Sequence, residues 1–227
     1  MSLKSRLIVR SVFLAIVVAA LIFVPAGTLD FWQGWVYLAI FLIPTVAGSV
    51  YFYRRDPGLI ARRMQTEEKE RAQKLIMAVA KLVFLAAMLL PGLDHRFGWS
   101  RRAPLPMPLW LIIASQVLAF AGYLVTLWVM KTNSFASSIV EVNPGQRVIS
   151  TGPYRFVRHP GYLAMCTSVS ASAVAIGSWL ALIPAGAFIA VVYERGKFEE
   201  QFLKANLPGY AQYAKTVPSG MLHSRST

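Results

Sequence analysis

The sequence predicts an all-α integral membrane protein with five to six transmembrane helices, the last two forming a short helical hairpin followed by cytoplasmic C-terminal helices. Three observations carry this. Of the 227 residues, 56% are hydrophobic and only 15% charged, more apolar side chain than one soluble core requires. Mean hydropathy is +0.51. The apolar residues also gather into runs close to the roughly 20 residues that cross a hydrocarbon core about 30 Å thick.

The opening "MSLKSRLIVRSVFLAIVVAALIFVPAG" has the basic head and apolar run of a signal peptide, but further spans follow, so residues 7–24 are read as a first transmembrane helix that stays in the protein. Residues 32–53 form the second span, with Pro44 expected to kink it. "RRDPGLIARRMQTEEKERAQK" at 54–74 reads as an interfacial amphipathic helix whose charges face headgroups and solvent. Spans at 74–91 and 108–130 follow. "QRVIST" is a short extended stretch in which Val148 and Ile149 suit a β-like strand. The last pair, 161–177 and 179–193, is joined by "GSW", with Pro184 expected to bend the second helix. Both are short, which leaves five or six crossings open. Residues 1–130 are thus an N-terminal set of membrane helices, and 131–227 a second unit.

The net charge of +13 has its explanation in topology. Nineteen Lys and Arg fall on one side of the predicted spans and three, Arg96, Arg101 and Arg102, on the other, with Lys81 near a span end where it can snorkel. Both termini and the polar motif below are therefore expected in the cytoplasm. No basic helix or aromatic platform supports nucleic-acid binding. One cysteine, Cys166, precludes an intramolecular disulfide and reads as an inert small hydrophobe. Histidines at 95, 159 and 223 are too scattered for a metal site. His95 and Asp94 fall on the opposite side from the motif and read as loop structure or an interface. No period of 20–50 residues repeats, which speaks against an array or an inverted-repeat transporter.

The chemistry-bearing residues collect at "GPYRFVRHPGY", 152–162. Gly152-Pro153 makes a turn, and Pro160 suits the first position of a helix. The free N–H groups of that helix start, with Arg155 and Arg158, would seat a carboxylate at the membrane surface. The plainer reading makes the arginines membrane anchors and Tyr154 and Tyr162 an aromatic belt. A second cluster, "YERGKFEEQFLKANLPGYAQYAKTVP", begins where the last span is expected to end. Arg195 and Glu199, four residues apart, share one helical face and offer a cation and an anion to the same pocket. Glu194, Lys197 and Glu200 are expected to face headgroups or solvent, with Glu200 the second choice to Glu199.

"GPYRFVRHPGYLAM" followed by "ERGKFEEQFLKANLPGYAQYAKTVP" resembles the isoprenylcysteine carboxyl methyltransferase family, closely over 131–218 and including "TNSF" at 132–135. "DPGLIARRM" and "GLDHRFGWS" are similar to bacterial members. The resemblance implies a membrane enzyme that binds S-adenosyl-L-methionine in a cytoplasmic-side pocket of the C-terminal half, making 131–227 the methyltransferase core. It puts cofactor contacts on Gln146, Arg147, Val148, Ile149, Tyr154, His159, Pro160, Gly161, Tyr162 and Glu199, and assigns Arg195 to catalysis at the substrate carboxylate. It implies a further upstream cofactor side chain, for which Glu141 is the candidate, and Ala164 replaces a glycine common in the family. Leu163, Met165 and Phe188 would line an acceptor tunnel, or simply pack. The expected partners are the lipid bilayer and a small or lipid-like carboxylate acceptor. A thiol or phospholipid amine acceptor, or a non-catalytic lipid-binding or transport role, are the alternatives. A carboxylate is already ionised at pH 7, with a pKa near 4, and needs no general base, in keeping with the lack of a His–carboxylate dyad in the sequence.

Overall fold

The computed structural model describes residues 2–64, 71–103, 106–217 and 219–221. Eight α-helices occur among them: α1 Leu3–Ala26, α2 Trp32–Arg55, α3 Pro57–Arg63, α4 Arg71–Phe97, α5 Leu109–Thr132, α6 Pro160–Ala175, α7 Leu182–Asn206 and α8 Tyr210–Thr216. One 3-10 turn, Gly152–Arg155, precedes α6. Four helices are long and apolar enough to cross a membrane: α1, α2, Gln73–Phe97 of α4, and α5. Their outward faces carry Phe13, Ile16, Leu82 and Trp110, all exposed, as lipid-facing surfaces require.

Local chemistry sets the boundaries. Ser2 Oγ accepts from Ser5 N to begin α1, and Gly27, at φ 66°, ends it in the left-handed conformation. Asp56 closes α2 and opens α3, its Oδ1 accepting from Leu59 N at 2.9 Å with Pro57 at the first helical position. Thus the amphipathic helix expected at 54–74 is divided: α2 takes its first residues, α3 spans Pro57–Arg63, and α4 begins at Arg71, while 65–70 lie outside the described residues.

Three expectations are corrected. "QRVIST" forms no strand, because no neighbouring chain pairs with it. Pro184 does not bend the last helix; it is the third residue of α7, where the missing N–H has no helical acceptor to lose. The charged helix expected to begin near 193 is not a separate element either. α7 runs unbroken from Leu182 to Asn206, carrying Arg195 and Glu199 on the same rod as the apolar residues of its first half.

In the bundle, α6 lies between α5 and α7, α7 packs on α4, α4 on α1, and α2 on α5. The α5–α6 approach is close because small residues line it. A Cβ on Gly122 would stand 2.1 Å from Ser168 Oγ and 3.2 Å from the Ala164 carbonyl, so a larger residue there would have to displace Ser168. Hydrogen bonds fasten the same seam: Ser172 Oγ donates to Tyr37 Oη at 2.8 Å, and the Tyr37 and Tyr123 hydroxyls meet at 3.0 Å. At the far end of α4, buried Asp94 accepts from Ser100 N, Ser100 Oγ and Ser178 Oγ, which ties the α6–α7 turn to α4. Asp94 is thus a structural clasp, but it lies within α4 and not in the loop expected for it. His95 beside it stacks on Phe31 at 3.9 Å.

Candidate active site

The start of α6 and the second half of α7 meet at the end of the bundle opposite Asp94. His159 precedes Pro160, the first residue of α6, which sets Tyr162 one turn into the helix. Tyr162 donates its hydroxyl proton to Glu199 Oε2 and accepts from Arg195 Nε at 3.0 Å. Arg195 and Glu199 are therefore linked through a phenol from another helix. The Tyr162 ring lies against α7 at Gly196, 3.6 Å from where its Cβ would be. The His159 ring stacks on Tyr162, centroids 5.6 Å apart.

Arg195 is 6% exposed, and each of its three nitrogens donates within the protein: Nε to Tyr162, Nη1 to Gln73 Oε1 at 3.0 Å and Nη2 to the Ser138 carbonyl at 3.0 Å. The fork expected to grip a substrate carboxylate is thus engaged with Gln73 and Ser138. The reason is burial: a guanidinium withdrawn from water must be bonded from the protein.

Glu200 corrects another expectation. It faces neither headgroups nor solvent but the Arg158-His159 turn. Arg158 Nη2 donates to both Glu200 oxygens at 2.9 Å, Lys204 Nζ stands 2.9 Å from Oε1, and His159 Nε2 is 3.7 Å from Oε2. The His159 ring, with Lys204 and Arg158, holds this carboxyl well below the usual carboxylate range against the opposing effect of burial. The anion seat expected at the start of α6 is accordingly filled by the chain's own Glu200. Arg155 takes no part; it is exposed and lies over the Phe156 ring, 4.8 Å from its centroid.

The C-terminal segment closes over the motif. Arg158 N donates to Ser219 O at 3.0 Å and Arg158 Nη1 to Val217 O at 2.6 Å. Gly209, at φ 83°, turns the chain into α8, whose Tyr213 donates to the Tyr154 carbonyl at 2.7 Å. The Tyr154 hydroxyl accepts from Asn133 Nδ2 at 3.0 Å. Burial, with the nearby Glu199 charge, pushes the Tyr154 phenol up to about 12, so it stays protonated and can donate at neutral pH.

Of the residues expected at the site, Tyr154, His159, Tyr162, Arg195 and Glu199 are brought together, and Pro160 and Gly161 form the helix start between them. Residues 146–149 are not joined to this network. Gln146 Oε1 accepts from Asn143 N at 2.8 Å to close a turn, Arg147 is exposed, Ile149 is half-buried, and Val148 packs with Leu203, Leu207 and Tyr210. Glu141 is half-buried beside Ser137, and Phe188 is core, its ring 6.0 Å from that of Phe84. Sequence reasoning missed Gln73, Asn133, Ser138 and Tyr210. The signals were slight: an amide at the edge of an apolar run, and a tyrosine inside the quoted "PGYAQY".

Several polar atoms here are buried without a partner: His159 Nε2, Tyr210 Oη, Arg158 Nε and Gln73 Nε2. Glu199 Oε1 likewise meets no donor among the described residues. Together these leave donors and acceptors that a polar ligand would complete. No metal-binding group of His, Cys, Asp and Glu occurs among the described residues.

No curated protein matches the chain. Residues 111–205, from α5 through the charged half of α7, match the family model of isoprenylcysteine carboxyl methyltransferase (ICMT), a stretch that holds Tyr154, His159, Tyr162, Arg195 and Glu199.

Proposed function

We propose that the chain uses S-adenosyl-L-methionine to methylate the carboxylate of a small or lipid-like, isoprenylcysteine-like acceptor. The family match supports the reaction class. The observation that carries the cofactor is the cluster of polar atoms without a hydrogen bond around Tyr162: Glu199 Oε1, Tyr210 Oη, and His159 Nε2, which lies 3.7 Å from Glu200 Oε2. Bound there, S-adenosyl-L-methionine would supply a sulfonium methyl group open to in-line attack by an ionised carboxylate oxygen, the O–CH3 bond forming as the S–CH3 bond breaks and S-adenosylhomocysteine leaves, with no proton transfer.

The side chains then have distinct tasks. Glu199 accepts from an ammonium or a ribose hydroxyl, and His159 and Tyr210 offer their free polar atoms. Tyr162 holds Glu199, and Arg195 holds Tyr162, so Arg195 is a positioning residue. Holding donor and acceptor in near-attack geometry is the main catalytic device such a site can offer, and it can lower a barrier by about 7–11 kcal/mol. We also propose that α6 and α7 enter the membrane as a hairpin and that both termini and the site face the cytoplasm, on the strength of the Lys and Arg asymmetry. A C-terminal reporter active only in the cytoplasm checks the orientation; inactivity would reverse it.

The function is tested by calorimetric titration of purified protein with S-adenosylmethionine, beside Glu199→Ala and His159→Ala. The expected result is saturable binding, weakened at least about tenfold in each variant. Binding untouched by either substitution would put the site elsewhere, and no binding by the wild type would end the proposal.

A further inference from the structure

With Arg195 engaged internally, the proposed site still needs a cation for a ligand carboxylate, and α3 brings one. Arg62 is bound at the end of this helix, its guanidinium donating to the Ser134 carbonyl and standing 3.7 Å from Asp56. The next residue, Arg63, is held differently. Its carbonyl accepts from Ser138 Oγ at 3.0 Å, and the Ser138 carbonyl accepts from Arg195 Nη2 at 3.0 Å. One residue therefore ties the Arg63 backbone to the centre of the site. The same loop supplies Asn133, which holds the Tyr154 hydroxyl.

The Arg63 side chain is half-buried, and no acceptor among the described residues takes a hydrogen bond from its guanidinium. Burial disfavours its charge, Arg10 adds repulsion, and the neighbouring Tyr154 hydroxyl acts in its favour. Arg10 itself is turned to the Met64 carbonyl at 3.3 Å. By contrast, all three nitrogens of Arg195 donate within the protein, and Arg158 donates from both terminal nitrogens to Val217 and Glu200. Arg63 thus has the unmet demand of a partly desolvated cation, which an anion would satisfy. Tyr154 complements it. Its oxygen accepts the Asn133 amide hydrogen, so its own O–H proton remains to be donated.

We infer that Arg63 and the Tyr154 hydroxyl form a carboxylate-binding subsite on the α3 side of the active site. The inference rests on the methyltransferase reading and deepens it, because that chemistry brings two carboxylates to the site: that of the cofactor's methionyl group and that of the acceptor. Both ask for one planar, charged donor fork and a second hydroxyl donor, which Arg63 and Tyr154 can provide.

The test compares wild type, Arg63→Gln and Arg63→Lys by calorimetry on the full chain in detergent, with Arg55→Gln, an exposed cation at the end of α2, as control. One arm titrates S-adenosylhomocysteine against 5′-methylthioadenosine, which lacks the amino-acid carboxylate. The other titrates an N-acetyl-S-isoprenylcysteine against its methyl ester. Arg63→Gln should lose about tenfold to a hundredfold for the free acid in one arm with no change for its carboxylate-free partner, Arg63→Lys should recover part of the loss, and Arg55→Gln should match wild type. A loss in the first arm assigns the subsite to the cofactor, and in the second to the acceptor. Wild-type binding of S-adenosylhomocysteine with Arg63→Gln unmoved in both arms overturns Arg63 alone, as does an equal loss for acid and carboxylate-free ligand. Absence of wild-type binding to S-adenosylhomocysteine overturns the methyltransferase reading and this subsite with it.

Discussion

Two buried polar clusters occupy opposite ends of the bundle, and they are finished to different degrees. Around Asp94, which is 3% exposed, every group is answered. Its carboxylate takes three donors; Ser100 Oγ in turn accepts from Trp179 N at 2.9 Å, and Ser178 Oγ from Ala181 N at 3.2 Å. Around Tyr162, four buried polar atoms have no partner. The fifth such atom among the described residues, Ser168 Oγ, lies mid-bundle where the close approach at Gly122 crowds it. A buried unpaired polar group costs about 1–3 kcal/mol, and gathering four at one end is intelligible where a ligand is to complete them. The closed cluster reads as a clasp, the open one as a site.

This contrast can be broken by experiment, most forcefully at the clasp. Asp94→Ala should remove about 3–5 kcal/mol of stability, seen as a lower unfolding midpoint in detergent, because it strands two buried serines and a loop N–H. S-adenosylhomocysteine affinity of the folded fraction should stay within about twofold; a parallel loss of binding would erase the division between clasp and site.

Glu200 comes next and sharpens the division within the site end, since its carboxylate has its partners in place. Glu200→Gln should cost about 2 kcal/mol at neutral pH by weakening two charged bonds to Arg158. Its pH dependence has a definite sign. The folded carboxyl lies below its ordinary value of 4.5, so its contribution is whole above that pH and is lost as pH falls through the folded value. Stability of the wild type should fall more steeply than that of Glu200→Gln on acidification below 4.5. Parallel acid curves would show that Glu200 is not so held.

Tyr162→Phe severs the link between Arg195 and Glu199. We expect about tenfold weaker S-adenosylhomocysteine binding and about 1 kcal/mol less stability. A stability loss with unchanged binding would make Tyr162 part of a second clasp. The smallest effect has the opposite sign. Tyr210→Phe removes a buried hydroxyl that nothing bonds, so the free protein should gain up to about 1 kcal/mol while ligand affinity falls a few-fold. A destabilised variant would mean that the hydroxyl is already satisfied.

The spans were the most legible part of the fold. A chain in hydrocarbon must satisfy its own backbone, so any long apolar run has to be helical, and α1, α2, α4 and α5 fall close to the predicted limits. The continuity of α7 was not legible: an apolar helix in lipid shows no amphipathic period, and Pro184 reads as a bend until its place in the first turn is known. At the site, Tyr154, His159, Tyr162 and Glu199 were legible through the resemblance that their motifs carry, since on its own the first motif reads equally well as membrane anchors and an aromatic belt. Glu199 and Glu200 could not be ranked so easily. They point about 100° apart on one helix, and their roles depend on which face the Arg158-His159 turn meets. Gln73, 122 residues from Arg195, could not be found by any local pattern.

By itself, then, the sequence determined the helical membrane class, the number of its long apolar runs and the short list of polar residues from which a site could be built. Those follow from composition and run length, which act locally through solvation. The tertiary structure decided the pairings: Arg195 with Gln73, Ser138 and Tyr162, Glu200 with Arg158, Asp94 with the two serines, and Arg63 with no internal acceptor among the described residues. Burial is what decides them, because a charge withdrawn from water takes whichever partner the packing of distant helices puts within reach.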